Sequence, residues 1–486
     1  MSNGSGEHNA IRHRSEELLT LPREELVKII LEQDGQVSTL TELLNGMAEE
    51  VAELKRRLGM NSQNSSKPPS SDLPGTPRPK AAGSGRKPGG QPGHPGHCRE
   101  MVQPDLVETL RPQQCKYCGK ELVGEDCHPR RHQVTDVPPI YPIVIEYQQH
   151  RLQCPHCGQS TLADLPKGVD GSPFGENLRA LIALFTGVCH LSRRTTEFLL
   201  ETLLNTPISL GAVSRTEEFV SQSVAEPVAK CVEYVRQQPA LNVDETGWAG
   251  DNKEGRPWLW SATTRCASVF MILRSRGRAA AQSLLGDYKG IVGSDRWSAY
   301  NYLDTCLRQV CWSHLKRDFQ AFVDVGGEAG RIGAELLDRR KEMFQWWRRV
   351  RDRTLSREAF QQNMAPVSRE IEALLEQGTH CGHAKTQRTC QNILKLRQAL
   401  WTFVRVEGVE PTNNAVERAI RPGVLCRRVS FGSHSDAGSR FVERMLTITA
   451  TLKHQGRNVF NYLTEACHAS LHRLPAPSLL PHNSGA

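Results

Sequence analysis

LNVDETGW, residues 241–248, is a short apolar run that ends in acid, and the stretches that follow it read as a sheet domain. RPWLWSATT (256–264) and ASVFMILRS (267–275) are rich in β-branched and aromatic residues, which predicts two more strands in a meander with the first. Arg278 to Leu285 predicts a helix, and GIVGSDRWSAY (290–300) a fourth strand with Asp295 just past its apolar part. LRQVCW (307–312) predicts a fifth. On a strand, adjacent side chains point to opposite faces, so Asp244 and its neighbour Glu245 part company and only Asp244 is assigned to a site.

A third acid, Glu417, lies in PTNNAVERAIRP (411–422), which predicts a helix starting at Pro411 and Thr412 and stopping before Pro422. Asn413, Asn414 and Arg421 share its face at i−4, i−3 and i+4, placed to orient the carboxylate or contact phosphate. Two carboxylates at the ends of apolar runs and a third on a helix suit a pair of divalent metals held against a phosphodiester. The ordinary fate of any single Asp or Glu is a solvated surface charge, and Arg296 beside Asp295 also permits a local salt bridge. The order strand, strand, strand, helix, strand is that of a ribonuclease-H-like fold, in which the first strand is central and the fourth lies beside it; this step is fold analogy.

At 486 residues the chain exceeds one compact core, so two to four domains are expected in a multidomain α+β protein. A net charge of +8 and a pI near 8.8 suit a nucleic-acid partner and equally many other basic proteins. No apolar run reaches eighteen residues and the first residues lack the apolar core of a signal peptide, so no membrane association and a cytoplasmic location are expected, nucleoid-associated when bound to DNA. Fifteen cysteines fit a reducing compartment, and clustered ones then suggest metal.

Ile30, Val37, Leu44, Val51 and Leu58 repeat every seven residues, with Leu26, Gln33, Leu40, Met47 and Leu54 at the alternate spacing. This seam predicts a coiled coil over 16–60 and a homodimer or larger assembly, against the plainer reading of one amphipathic helix packed on its own protein. Residues 61–100 are rich in Pro, Gly and Ser, which predicts a disordered linker. Lys67, Arg78, Lys80, Arg86 and Lys87 make it basic, able to track phosphates or to serve as a spacer.

Cys115-Lys-Tyr-Cys118-Gly and, 35 residues later, Cys154-Pro-His-Cys157-Gly are two-cysteine knuckles that together supply four thiolates to one structural Zn2+. A zinc ribbon over 101–168 is expected, with YPIVIEYQQHRLQC (141–154) strand-like; Cys98, Cys127, His128 and His156 are alternative ligands, and a thioredoxin-like redox pair is the rival. Residues 174–238 predict helices around the turn NTPISLG (205–211), compatible with a helix-turn-helix whose second helix carries Arg215, or with simple packing. In CWSHLKRDF (311–319), the spacing of Cys311 and His314 would allow two metal ligands, although no second pair accompanies it; packing or DNA positioning is the preferred role for His314, with Lys316 and Arg317 able to reach phosphate. After Pro422, LCRRVSF (425–431) predicts a basic strand and then an amphipathic helix; Arg427, Arg428, Lys453 and Arg457 are candidate backbone contacts, although helices of this kind are mostly core.

The knuckle pair, NSSKPPSSD (64–72), VDETGW, SDRWSAY, CWSHLKRDF and NNAVERAIRP together resemble the DDE transposases of the IS66 insertion-sequence family, from the heptads to the C-terminus. The resemblance implies a ribonuclease-H-like catalytic core over 239–325 and 409–470, a helical insertion over 326–408 and a flexible tail over 471–486. It implies Asp244, Asp295 and Glu417 as the triad for two Mg2+ (or Mn2+) ions, about 3.5 to 4 Å apart. It implies strand cleavage and strand transfer at terminal inverted repeats and target DNA, with possible accessory proteins of the element. Two other readings stand beside it: an inactive, domesticated DNA-binding protein, and a nuclease that cuts without joining.

Overall fold

The computed structural model describes residues 22–58, 60, 61, 64, 65, 100–250, 255–429 and 432–481. Most of the predicted linker, with Lys67, Arg78, Lys80, Arg86, Lys87 and Cys98, lies outside the described residues, as do the first residues of the predicted coiled coil and the last of the tail. The chain divides into two compact units, one holding residues 77–231, 249–251 and 423–486, the other 1–76, 232–248 and 252–422.

In the first of these units the knuckle segment carries very little regular structure. Strand β1, Arg151–Gln153, pairs antiparallel with β2, Ser160–Leu162, and a single bridge joins Gln114 to Glu121. The longer strand expected over 141–154 is therefore confined to its last residues. A strand needs a ladder partner, and β2 offers only three residues. Helices follow at Glu176–Ala183, Arg193–Leu204 and Leu210–Ser223. Ser192 and Ser209 cap the last two by accepting the amide protons of Thr195 and Ala212. The second of the paired helices, which carries Arg215, thus begins at Leu210 and ends at Ser223, with a separate helix at Ala225–Arg236. Pro227 lacks an amide proton and crowds the carbonyl of Ser223, which accounts for the break. Ile182, Leu200, Ile208 and Val213 form the local core. The unit closes with helices Asp436–His454 and Val459–His472.

The other unit begins with helix Arg23–Leu58, along which Ile30, Val37, Leu40, Leu44, Met47, Val51, Leu54 and Leu58 are all exposed. Its main body is a five-stranded sheet: β3 Ala240–Gly247, β4 Trp258–Thr263, β5 Ser268–Leu273, β6 Ile291–Ser294 and β7 Arg308–Val310. The strand order is β5-β4-β3-β6-β7. The first three strands form an antiparallel meander, while β6 and β7 run parallel to β3. A parallel return needs a crossover, which helix Arg278–Leu285 supplies between β5 and β6.

Between β7 and the helix of the third acid, helices Gly327–Arg351, Arg357–Gly378 and Ala384–Leu394 build an all-helical insertion on helix Trp312–Val325. Trp312, Phe319, Leu336, Met343, Phe360, Ile371 and Phe403 are buried there in one cluster with Ile291 and Val310 of the sheet. Each such side chain contributes about 1.5–3 kcal/mol on burial, so the insertion and the β6–β7 edge share a core. The helix of the third acid, Asn414–Val429, passes through Pro422 instead of stopping before it. The loss is one backbone hydrogen bond, and Leu425 to Val429, expected as a basic strand, are its last turns.

Candidate active site

Asp244 lies on the central strand of the sheet and Asp295 directly follows its parallel neighbour. In that pairing Asn242 stands opposite Gly293, so two residues further along each chain Asp244 and Asp295 come level. A parallel ladder in this register brings together acids that are 51 positions apart. The third acid is tied to the same place through the backbone. Asn413 Nδ2 donates to the carbonyl of Val243 at 3.4 Å, beside Asp244, and the Trp312 amide donates to the carbonyl of Pro411 at 3.0 Å. The Cys311 amide donates to the carbonyl of Ser294 at 2.9 Å, beside Asp295. Three hydrogen bonds thus gather the middle of β3, the end of β6 and the start of the Glu417 helix. Asn413 also accepts the Glu417 amide proton at 3.2 Å from just outside that helix.

Charge is concentrated at this junction. Burial, followed by the nearby carboxylates of Glu245, Asp295 and Glu417, holds the Asp244 carboxyl well above the usual carboxylate range. Glu417 Oε1 lies 3.7 Å from His314 Nδ1 and 3.9 Å from Arg317, yet it is buried with no hydrogen-bond partner. His314 Nδ1 and Asn413 Oδ1 are orphaned in the same way. Buried polar atoms without partners are rare, and converging acids with an orphaned oxygen are suited to a cation. Cys311, His314 and Glu417 offer ligand atoms within 4.8 Å of one another, whereas the three acids are more widely spaced as a set among the described residues. Burial pushes the Cys311 thiol up to about 11, and its sulfur receives the Asn413 amide, so it serves as a packed thiol. Burial also holds His314 below the ordinary imidazole range, against the pull of Asp295 and Glu417.

Three features were not legible in the motifs. Glu245 is not simply turned away: it is buried, accepting from Tyr300 Oη at 2.6 Å and Arg276 Nε at 2.9 Å. Burial and then the charge of Asp295 raise its carboxyl to about 7, against the opposing pull of Tyr300 and Arg276. Arg296 pairs with Asp318 at 2.6 Å and not with Asp295. The fully buried Arg308 donates to Ser294 Oγ at 3.1 Å, to the Asp295 carbonyl at 2.7 Å and to the Tyr300 carbonyl at 3.4 Å. A charged residue inside the predicted strand LRQVCW was the available signal for it. Arg308→Met, which keeps the bulk and strips the donors, is expected to lower stability by roughly 2–3 kcal/mol in chemical denaturation. Wild-type stability in that variant would show that these bonds do not hold the Asp295 turn.

Arg215, Lys316, Arg421 and Arg428 are exposed, and Arg317 and Arg427 half-buried. Arg457 is occupied by the carbonyl of Ser478 and by Gln455. Asn414 accepts from Ser313 Oγ at 3.1 Å, a tie between its helix and the start of helix Trp312–Val325.

Both knuckles are formed. Gly119 and Gly158 adopt φ +71°, in the left-handed region, and donate to the carbonyls of Cys115 and Cys154 at 2.9 Å. Backbone amides of Tyr117 and Cys118 lower the Cys115 thiol, and those of Cys157 and His156 lower Cys154, which favours the thiolate a zinc ion needs. Among the described residues no three of the four sulfurs lie mutually within 4.8 Å.

Residues 112–158, which span all four knuckle cysteines, match the zinc-finger binding domain of transposase IS66, and this supports a structural Zn2+. Residues 8–100 match a family of unknown function (DUF6444). An uncharacterized protein, y4qI, of Sinorhizobium fredii (strain NBRC 101917 / NGR234) is 24% identical over 487 aligned positions, covering 93% of this chain and 84% of the relative. None of the described helices is long and apolar enough to cross a membrane. Residues 171–440, more than half of the chain, match the Transposase IS66 family, and the chain belongs to that family of DNA-processing enzymes.

Proposed function

We propose that this chain is a DNA transposase that cuts at the ends of an insertion sequence and joins the freed ends to target DNA. Asp244, Asp295 and Glu417 hold divalent metal, Mg2+ or Mn2+, on a ribonuclease-H-like sheet. The observation that carries this reading is electrostatic: acids 51 and 122 positions apart in the order Asp244, Asp295, Glu417 converge until the burial and repulsion at Asp244 call for a cation. Bound there, divalent ions lower the pKa of an attacking oxygen and neutralise charge on the phosphodiester.

The chain's own residues supply the frame. Asn413 and Cys311 fix the three acidic segments to one another, and Arg308 holds the Asp295 turn from below. Arg317 stands beside Glu417, where its guanidinium can meet a phosphate oxygen. In the first step water attacks phosphorus and a 3′-oxygen leaves as hydroxyl; in the second that hydroxyl attacks a target phosphate and displaces another 3′-oxygen. Joining needs two ends held together. The exposed apolar seam of helix Arg23–Leu58 supports pairing with a second copy, as a coiled coil. The zinc module and the helices over 174–238 serve DNA recognition in this reading.

The test incubates the purified full chain with duplexes carrying the ends of its element and with a target plasmid. Both 3′-hydroxyl ends and joined products are expected with Mg2+ or Mn2+, and neither with chelator. Cleavage without any joined product would turn the reading to a nuclease, and binding without cleavage to an inactive DNA-binding protein.

A further inference from the structure

A second metal-ligand set lies far along the chain from the acids and from the cysteine knuckles. His468 and His472 stand at i and i+4 on helix Val459–His472, so their imidazoles share one face, with ring centroids 4.3 Å apart. Glu176, in the first turn of helix Glu176–Ala183, reaches the same place across 292 positions of sequence, and its Oε2 lies 2.8 Å from His468 Nδ1. The three ligand atoms are all within 4.8 Å of one another. We propose that His468, His472 and Glu176 form a zinc-binding site that pins the end of helix Val459–His472 to the start of helix Glu176–Ala183.

The chemistry of the donors selects the ion. Two neutral imidazole nitrogens and one carboxylate are a usual protein set for Zn2+, leaving a fourth position for water. Tetrahedral coordination with bonds of about 2.1 Å places donors about 3.4 Å apart, so modest rotations of these side chains close the set. The backbone favours a cation as well, because His468 and His472 fall in the last turns of their helix, where the carbonyl ends carry partial negative charge. A hydrogen bond between His468 and Glu176 would satisfy those two groups alone. It does not account for His472, whose ring stacks on His468 and fills the space where any side chain at Gly168 would stand. Gly168 takes φ +88°, a conformation that suits glycine, and its backbone sits directly against that ring.

Cobalt titration of the metal-stripped full chain separates this site from the knuckles, because thiolate ligands give an intense charge-transfer band and nitrogen and oxygen ligands do not. With excess Mg2+ present to fill the carboxylate site of Asp244, Asp295 and Glu417, wild type is expected to take up two Co2+ per chain, one with the thiolate band and one without it. His468→Ala/His472→Ala is expected to lose only the ion without the band, and competition with Zn2+ to show the same stoichiometry. Glu176→Gln, a half-exposed isosteric change, is expected to weaken that ion about tenfold or more and keeps the test intact should the double variant not fold. Uptake of one ion by wild type, or of two unweakened ions by the variants, would overturn the proposal.

Discussion

Asp244→Asn is expected to abolish both cleavage and joining while leaving the fold intact. The change keeps the shape of the side chain and removes one negative charge from the centre of the three acids. Loss of a metal-holding carboxylate removes several kcal/mol of transition-state stabilisation, so product formation should fall by roughly 10^3-fold or more. Stability should move the other way in the absence of metal. The Asp244 carboxyl is held well above its usual range by burial and by Glu245, Asp295 and Glu417, so its charged form is disfavoured in the folded chain. An amide relieves that repulsion, and the variant in chelator should melt at or above the wild-type temperature. Added Mg2+ should raise the melting temperature of wild type and leave the variant unmoved. Activity within about tenfold of wild type would sink the assignment of Asp244. A variant that melts much lower in chelator would instead show a structural role for the carboxylate.

How much of this site could be read in advance follows from how far each interaction reaches along the chain. Asp244, Asp295 and Glu417 are legible because each sits at a recognisable boundary, the end of an apolar run or the first turn of a helix. The register that levels Asp244 with Asp295 is a property of the parallel pairing, which spacing alone does not give. Simple alternation separates Glu245 from Asp244, but it says nothing of Tyr300 and Arg276, which arrive from 55 and 31 positions away. Arg308 reads as an anomaly in a strand until β7 is placed beside β6 and its donors meet the Asp295 turn. The helix through Pro422 and the break before Pro227 show one residue type with two outcomes. Local rules mark proline as a boundary in both cases, and the surrounding packing decides which helix continues. The set of Glu176, His468 and His472 was invisible for a related reason. The histidine pair has helical spacing, but its carboxylate comes from the other end of the unit.

Removal of zinc is expected to unfold the knuckle segment while sparing the sheet. Between residues 100 and 178 there is no buried residue among those described, and Val123, Ile143 and Val144 are 93%, 91% and 89% exposed. Two three-residue strands and one bridge cannot offset the conformational entropy of so long a segment. In contrast, β4 and β5 bury Leu259, Trp260, Val269 and Phe270 almost completely. The free energy that orders the knuckles must therefore come largely from thiolate–metal bonds, for which apparent values of about 10–16 kcal/mol are typical at neutral pH. Cys115→Ser/Cys154→Ser isolates this effect, because it leaves Glu176, His468 and His472 untouched. Limited proteolysis of that full-length variant should cut within 101–168 at least about tenfold faster than in zinc-loaded wild type, with fragments covering 232–422 persisting. Equal cleavage rates would mean that contacts other than metal hold the segment, and early loss of the 232–422 fragments would mean that its folding and that of the sheet are one cooperative event.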